Sequence, residues 1–301
     1  MSLWSFMRRI YRFERSIEGM CFDLYKKRQA RKKTSGKQKY LADNISFKDK
    51  YKGERCFIIG NGPSLNDMDL SLLKDEFTFT VNQLPKNKQF ESINTTFHMW
   101  SDARFFKMDE NDEGDMALLE TMKNVNSKDN KPVVFYEIAA KDMVEKFELD
   151  KVLDIHYFAA LQFTKKRYLK KDNIDFTKVV CNWPTVIQIA ITMAIYMGFS
   201  EIYLLGLDCT GFINIAETKL KDYSHGIKYA FDVSDAEKKR MEKSNSMYSM
   251  KQELICQAEL FDDYDLISEY AKRKGIKIFN ATRGGLLESF ERAVYEEVVI
   301  K

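Results

Sequence analysis

Five consecutive residues, Gly60-Asn61-Gly62-Pro63-Ser64, concentrate the groups that a phosphate- or nucleotide-binding turn needs. Glycines at alternate positions let a backbone turn sharply and approach a ligand closely. Amides opening a following helix, together with the Ser64 hydroxyl, can face a phosphate. The segment is not a Walker loop, because no Gly-Lys-Ser/Thr follows, and Leu65 stands where G-x-G-x-x-G has its third glycine. Four more small polar groups follow apolar runs: Asn82-Gln83, Ser101-Asp102, Asp208-Cys209-Thr210 and Asn280-Ala281-Thr282. An imidazole base must be chosen from His98, His156 and His225. The first two fall in apolar stretches and read as structural. His225 lies in the polar run Tyr223-Ser224-His225-Gly226, with Tyr229 close behind. Asp67-Met68-Asp69 has the D-x-D spelling of divalent-ion sites. It sits in a predicted helix, however, where acidic residues suit the dipole, and no metal site is expected.

These groups need elements to position them. Cys56-Phe57-Ile58-Ile59 is a short apolar run ending in Gly-Asn-Gly-Pro, the pattern of a buried strand meeting a tight turn. Ser64 is then expected to cap a helix over 65–74. Further strands are expected at 77–81, 95–100 and 133–136, the rest of 104–180 being helices and loops over the sheet. The clearest unit is an apolar helix over 184–197, stopped by Gly198 and followed by a central strand over 201–208. A polar stretch over 210–248 reads as an active-site loop, since loops of that length in compact domains are more often functional than idle. A helix over 251–274 and a strand over 277–279 complete the order. The predicted fold is a doubly wound α/β domain, a mainly parallel Rossmann-like sheet with helices on both faces, over 46–301. In such sheets ligands bind outside the carboxyl ends of the strands, which places all five polar groups on one edge.

Residues 1–45 differ. Leu3, Phe6, Met7, Ile10, Phe13, Ile17, Met20 and Leu24 recur at helical spacing among Arg8, Arg9, Arg12 and Arg15, and a basic stretch over 26–39 follows. Such a basic amphipathic helix either lies in an anionic membrane interface, through residues 1–33, or packs on the domain or a partner and leads into a solvated linker.

The bulk composition excludes several classes. With 45% hydrophobic and 31% charged residues, the chain of 301 is ordinary for a globular protein. A net charge of +3 is too small to argue for nucleic acid, and no nucleic-acid motif is present. Cys21, Cys56, Cys181, Cys209 and Cys256 are scattered and form no C-x-x-C pair, so a reducing cytosol is the expected compartment. No apolar run approaches the ~20 residues of a membrane-spanning helix.

Taken in order, Gly60-Asn61-Gly62-Pro63-Ser64-Leu65, Val81-Asn82-Gln83 and Glu201-Ile202-Tyr203-Leu204-Leu205-Gly206-Leu207-Asp208 resemble the bacterial sialyltransferases of glycosyltransferase family 42. The helix at 185–198, Met197-Gly198-Phe199 and the closing Asn280-Ala281-Thr282-Arg283-Gly284-Gly285 resemble a wider group still. That group includes motility-associated glycosyltransferases and an archaeal 6-hydroxymethylpterin diphosphokinase. The resemblance spans roughly 51–295. It implies that Asn61 and Asn82 contact a cytidine nucleotide. The position of a third family asparagine falls near Ser101-Asp102, and Trp183-Pro184 stands where the family has Ser-Gly or Gly-Gly. It also implies that His225, the loop histidine, is the general base, with an ordinary pKa of about 6.5 suited to taking a proton from an acceptor hydroxyl. Tyr223 and Tyr229 would then steady the leaving phosphate.

The expected enzyme is thus a sialyltransferase-like glycosyltransferase. A sugar, a nonulosonic acid, passes from a CMP-activated donor to a surface-glycan or glycolipid acceptor, with no cofactor required. Gly60, Asn61, Gly62, Pro63, Ser64, Asn82, Ser101, Asp102, Thr185, Asp208 and Thr282 are the expected nucleotide-side residues. Two rivals remain open. One is a pterin diphosphokinase-like enzyme using ATP and Mg²⁺, with Asp102 and Asp208 as metal ligands. The other is a non-catalytic nucleotide-binding scaffold in polysaccharide assembly.

Overall fold

A computed structural model describes residues 3–126, 130–213, 216, 230–236, 238 and 249–300, with backbone alone for 3–16. Its centre is a nine-stranded sheet, parallel throughout, in the order β6-β5-β4-β3-β2-β1-β7-β8-β9. The strands are β1 Arg55–Ile59, β2 Phe77–Val81, β3 Phe97–Trp100, β4 Val133–Glu137, β5 Asp154–Leu161, β6 Val179–Cys181, β7 Glu201–Leu205, β8 Lys277–Asn280 and β9 Glu291–Arg292. The helices are α1 Leu3–Lys33, α2 Gln38–Ala42, α3 Glu113–Lys123, α4 Lys141–Lys146, α5 Lys165–Lys170, α6 Val186–Met197, α7 Met250–Lys274 and α8 Tyr295–Val299.

A parallel sheet is buried on both faces, so its strands are continuously apolar rather than alternating. In β1, Cys56 and Ile58 face one core while Phe57 and Ile59 face another. The first core is closed by α6 and α7; α6 is apolar almost all round because it lies between the sheet and α7. The opposite face is covered by α3 and α4 over β3 to β5, and by short 3-10 turns and α8 over β1 and β7. The architecture is the Rossmann-like α/β fold with helices on both faces. No helix among the described residues is long and apolar enough to cross a membrane.

Several local expectations are corrected. The helix expected over 65–74 is two 3-10 turns, Pro63–Asp67 and Leu70–Leu73. They are broken at Met68 and Asp69, where the Asp69 carboxylate accepts from the N–H and hydroxyl of Ser71. Short polar side chains compete with the helix for backbone groups in this way. Ser64 therefore sits inside a turn that it does not cap. The region expected to hold helices and loops contributes two more strands, β5 and β6, and a third unforeseen strand, β9, pairs with β8 at the sheet edge. The central strand β7 ends at Leu205, three residues early. Helix α1 runs on to Lys33 and takes in much of the stretch expected as linker. Asn44 is buried, donating to the carbonyls of Tyr157 and Phe176, which ties this region to β5.

Candidate functional site

Successive strands step away from β1 in one direction through β2 to β6, then cross to its other side at β7. The crevice above the carboxyl ends of β1 and β7 is thus the topological switch point, where open α/β sheets bind ligands. Backbone bonds lace its two walls together. The Gly60 N–H donates to the Leu205 carbonyl at 2.8 Å and the Gly62 N–H to the Gly206 carbonyl at 2.9 Å.

The glycines of this turn answer to a protein neighbour. A Cβ on Gly60 would stand 2.5 Å from the Gly206 carbonyl oxygen, and one on Gly62 would stand 1.7 Å from Oδ2 of Asp208. The Asp208 carboxylate accepts from the Ser64 N–H at 3.2 Å and from its hydroxyl at 2.8 Å. In this arrangement both Ser64 donors, the N–H and the hydroxyl, are engaged by Asp208. Pro63 begins the turn and brings no N–H.

Asn61 and Asn82 stand at the adjacent ends of β1 and β2 and have acceptors unpartnered among the described residues. The Asn61 amide donates through Nδ2 to the Val81 carbonyl at 3.3 Å, while its Oδ1 is buried with no donor among the described residues. Asn82 takes a left-handed φ of 49°, its N–H donates to the Met99 carbonyl at 3.0 Å, and its Oδ1 is likewise buried with no donor among the described residues. Asparagine tolerates that conformation better than most residues. A buried acceptor without a donor costs about 1–3 kcal/mol, so two of them at neighbouring strand ends favour a ligand that brings N–H or O–H groups.

The other expected residues divide. Ser101 is half-buried and makes no side-chain hydrogen bond among the described residues. Asp102 caps a 3-10 turn and grips the Arg104 guanidinium at 2.6 Å. Thr185 is the N-cap of α6 in a capping box with Gln188, and its hydroxyl lies 3.5 Å from that of Tyr264. Thr282 is buried, accepting from the Leu207 N–H at 3.0 Å and donating to the Leu204 carbonyl at 3.4 Å, so its hydroxyl joins β7 to β8. Burial pushes the Cys209 thiol up to about 11, which keeps it protonated near neutral pH.

The candidate base and its companions, His225, Tyr223 and Tyr229, lie outside the described residues. The described chain resumes at Ala230, beside Asn61. The Ala230 N–H donates to the Asn61 carbonyl at 3.1 Å, and its carbonyl accepts from Asn87 Nδ2 at 3.0 Å. Farther on, the Ala236 carbonyl lies 3.1 Å from where a Cβ on Gly114 would be, at the start of α3. The segment thus passes across the carboxyl edge. Asn87 was not singled out in the sequence; a lone asparagine after Leu84-Pro85-Lys86 reads only as a turn residue.

The remaining histidines are in strands. His98 is fully buried on β3, with Nδ1 2.7 Å from the Thr80 hydroxyl, and burial pushes its pKa down to about 3. His156 on β5 packs edge-on against the Phe47 ring. Among the described residues no group of three or more acidic, histidine or cysteine side chains is placed to hold a metal ion. Comparison with known protein families and with curated proteins finds no match.

Proposed function

We propose that this chain is a sialyltransferase-like glycosyltransferase that moves a sugar, a nonulosonic acid, from a CMP-activated donor to a surface-glycan or glycolipid acceptor. The observation that carries the reading is the pair of amide oxygens, Asn61 Oδ1 and Asn82 Oδ1, buried beside the switch point with no donor among the described residues. A cytidine offers the matching donors in its exocyclic amine and ribose hydroxyls. The nucleoside end of the donor would lie over β1 and β2.

The reaction would be a direct displacement. His225 takes the acceptor proton, the acceptor oxygen bonds to the anomeric carbon, and the bond to CMP breaks with its electrons leaving on the phosphate. Asp208 already takes both Ser64 donors, so the leaving phosphate falls to Tyr223 and Tyr229, on the segment that leads into Ala230. The acceptor is placed at the inner face of a membrane, which α1 would meet.

The diphosphokinase alternative asks Asp102 and Asp208 to bind Mg²⁺. It would have to break the Arg104 ion pair and the Ser64 bonds to do so. Release of CMP from a CMP-sugar in the presence of a glycan acceptor tests the proposal. His225→Ala is expected to abolish turnover and retain nucleotide binding. Unchanged turnover in that variant would contradict the assignment of the base.

A further inference from the structure

Helix α1 leaves the domain from the carboxyl edge. Lys33 pairs with Glu137 at 2.7 Å and donates to the Ala160 carbonyl at 2.9 Å, both near the carboxyl ends of β4 and β5. Asp23 accepts from the Thr164 N–H beyond β5 at 3.2 Å and pairs with Arg167 at 3.7 Å. The face that α1 turns to the domain carries these polar contacts. Beside these contacts Ile17, Met20 and Leu24, at helical spacing, remain 40%, 50% and 59% exposed. The helix continues for another 16 residues before Gly19, roughly 24 Å at 1.5 Å per residue.

Between α1 and the α5 region lies a cavity of about 620 Å³. Met20, Leu24, Leu41, Phe163 and Tyr168 form its apolar wall. Its three carboxylates are already engaged: Asp23 with Arg167, Asp172 with Lys274, and Asp175 with Lys178. Lys27, Arg31 and Lys171 also line it, and none of the three has an acidic partner among the described residues. The cavity therefore has a net cationic mouth beside an apolar wall, continuous with an exposed apolar stripe. An anion with an apolar body, presented by a surface, matches that combination.

We infer that this cavity is the docking site for the phosphate headgroup of an anionic membrane lipid. Lys27, Arg31 and Lys171 hold the headgroup, and Ile17, Met20 and Leu24 enter the acyl boundary. The inference rests on the placement of the acceptor at a membrane. It would bring that membrane to the carboxyl edge that carries the candidate site.

Co-sedimentation of the full chain with phosphatidylcholine vesicles, with and without phosphatidylglycerol, tests it. Binding is expected only with phosphatidylglycerol and should weaken as salt rises. The combined variant Lys27→Glu, Arg31→Glu, Lys171→Glu should bind about a hundredfold more weakly, a factor of about five for each basic residue. Met20→Gln with Leu24→Gln should also lose binding, without altering surface charge. An unchanged CMP titration in both variants would show that they are folded and would separate this site from the donor site. Equal binding to phosphatidylcholine alone, or no vesicle binding by the parent chain, would overturn the inference while leaving CMP binding to stand or fall separately. Two further results would overturn it: glycerol phosphate in solution binding these residues as tightly as vesicles do, or a dimer lost with Met20→Gln and Leu24→Gln in a chain that ignores vesicles.

Discussion

The Asp208 carboxylate accepts both the N–H and the hydroxyl of Ser64, across 144 residues of sequence, at the point where the ends of β1 and β7 meet. It occupies the space that a Cβ on Gly62 would need. Ser64→Ala should therefore lose about 1.5–3 kcal/mol, the range for a hydrogen bond to a charged group. Urea unfolding at neutral pH measures it, and a change under 0.5 kcal/mol, the size of an ordinary surface substitution, would contradict the assignment.

Gly62→Ala should be worse than Ser64→Ala. The new methyl would overlap Asp208 Oδ2, at 1.7 Å, and crowd the Gly206 carbonyl, at 2.6 Å. Pairing it with Asp208→Ala should restore only part of the loss, because the backbone carbonyl remains. Melting temperatures of the single and double variants report this directly.

Asn82→Gly separates binding from folding. Glycine accepts the φ of 49° without strain, and the Oδ1 atom removed has no donor among the described residues. Stability should stay within about 1 kcal/mol, while CMP affinity falls at least roughly tenfold, the equivalent of one hydrogen bond. A stability loss with unchanged affinity would make Asn82 purely structural.

The strands that carry the candidate site were legible because each is a run of buried apolar residues ending in a small polar group, as in Cys56-Phe57-Ile58-Ile59 before Gly60. Helix α6 was equally plain as an apolar run stopped by Gly198, though its cap, Thr185, was read only as a nucleotide-side residue. Strand β5 was not, because it opens on Asp154 and His156 and ends in Ala159-Ala160-Leu161, residues with little local preference for a strand. The sheet makes it one by pairing it to β4 and β6. The Gly-Asn-Gly signal was visible, but its cause was not: no local pattern could reveal that Asp208, far along the chain, approaches Gly62.

His98 supplies a pH dependence. Its folded pKa of about 3 lies below the ordinary 6.5 because burial disfavours the imidazolium. The unfolded chain therefore binds the extra proton first, and the stability this group contributes is lost as pH falls from about 6.5 toward 3. Between pH 7 and pH 4.5 the loss from this single group should be about 2–3 kcal/mol. His98→Gln should flatten that part of the stability profile in urea titrations. Identical slopes in parent and variant would place the acid sensitivity elsewhere.

Asn87 and the Asn61 carbonyl both hold Ala230, at the start of the described segment that follows the candidate catalytic loop. Asn87→Ala removes its bond to the Ala230 carbonyl. Amide exchange over 230–236 should speed up by roughly tenfold, matching the loss of about 1 kcal/mol, with little change in the strands. Turnover should fall with it, since His225 lies five residues before Ala230.

Calorimetric titration with CMP, CDP, UDP and ATP, each with and without Mg²⁺, tests the central claim most directly. The account predicts metal-independent binding of CMP or CDP that is lost in Asn61→Ala. Binding of ATP alone, and only with Mg²⁺, would contradict it in favour of a phosphoryl-transfer enzyme, and binding of no nucleotide at all would leave a scaffold.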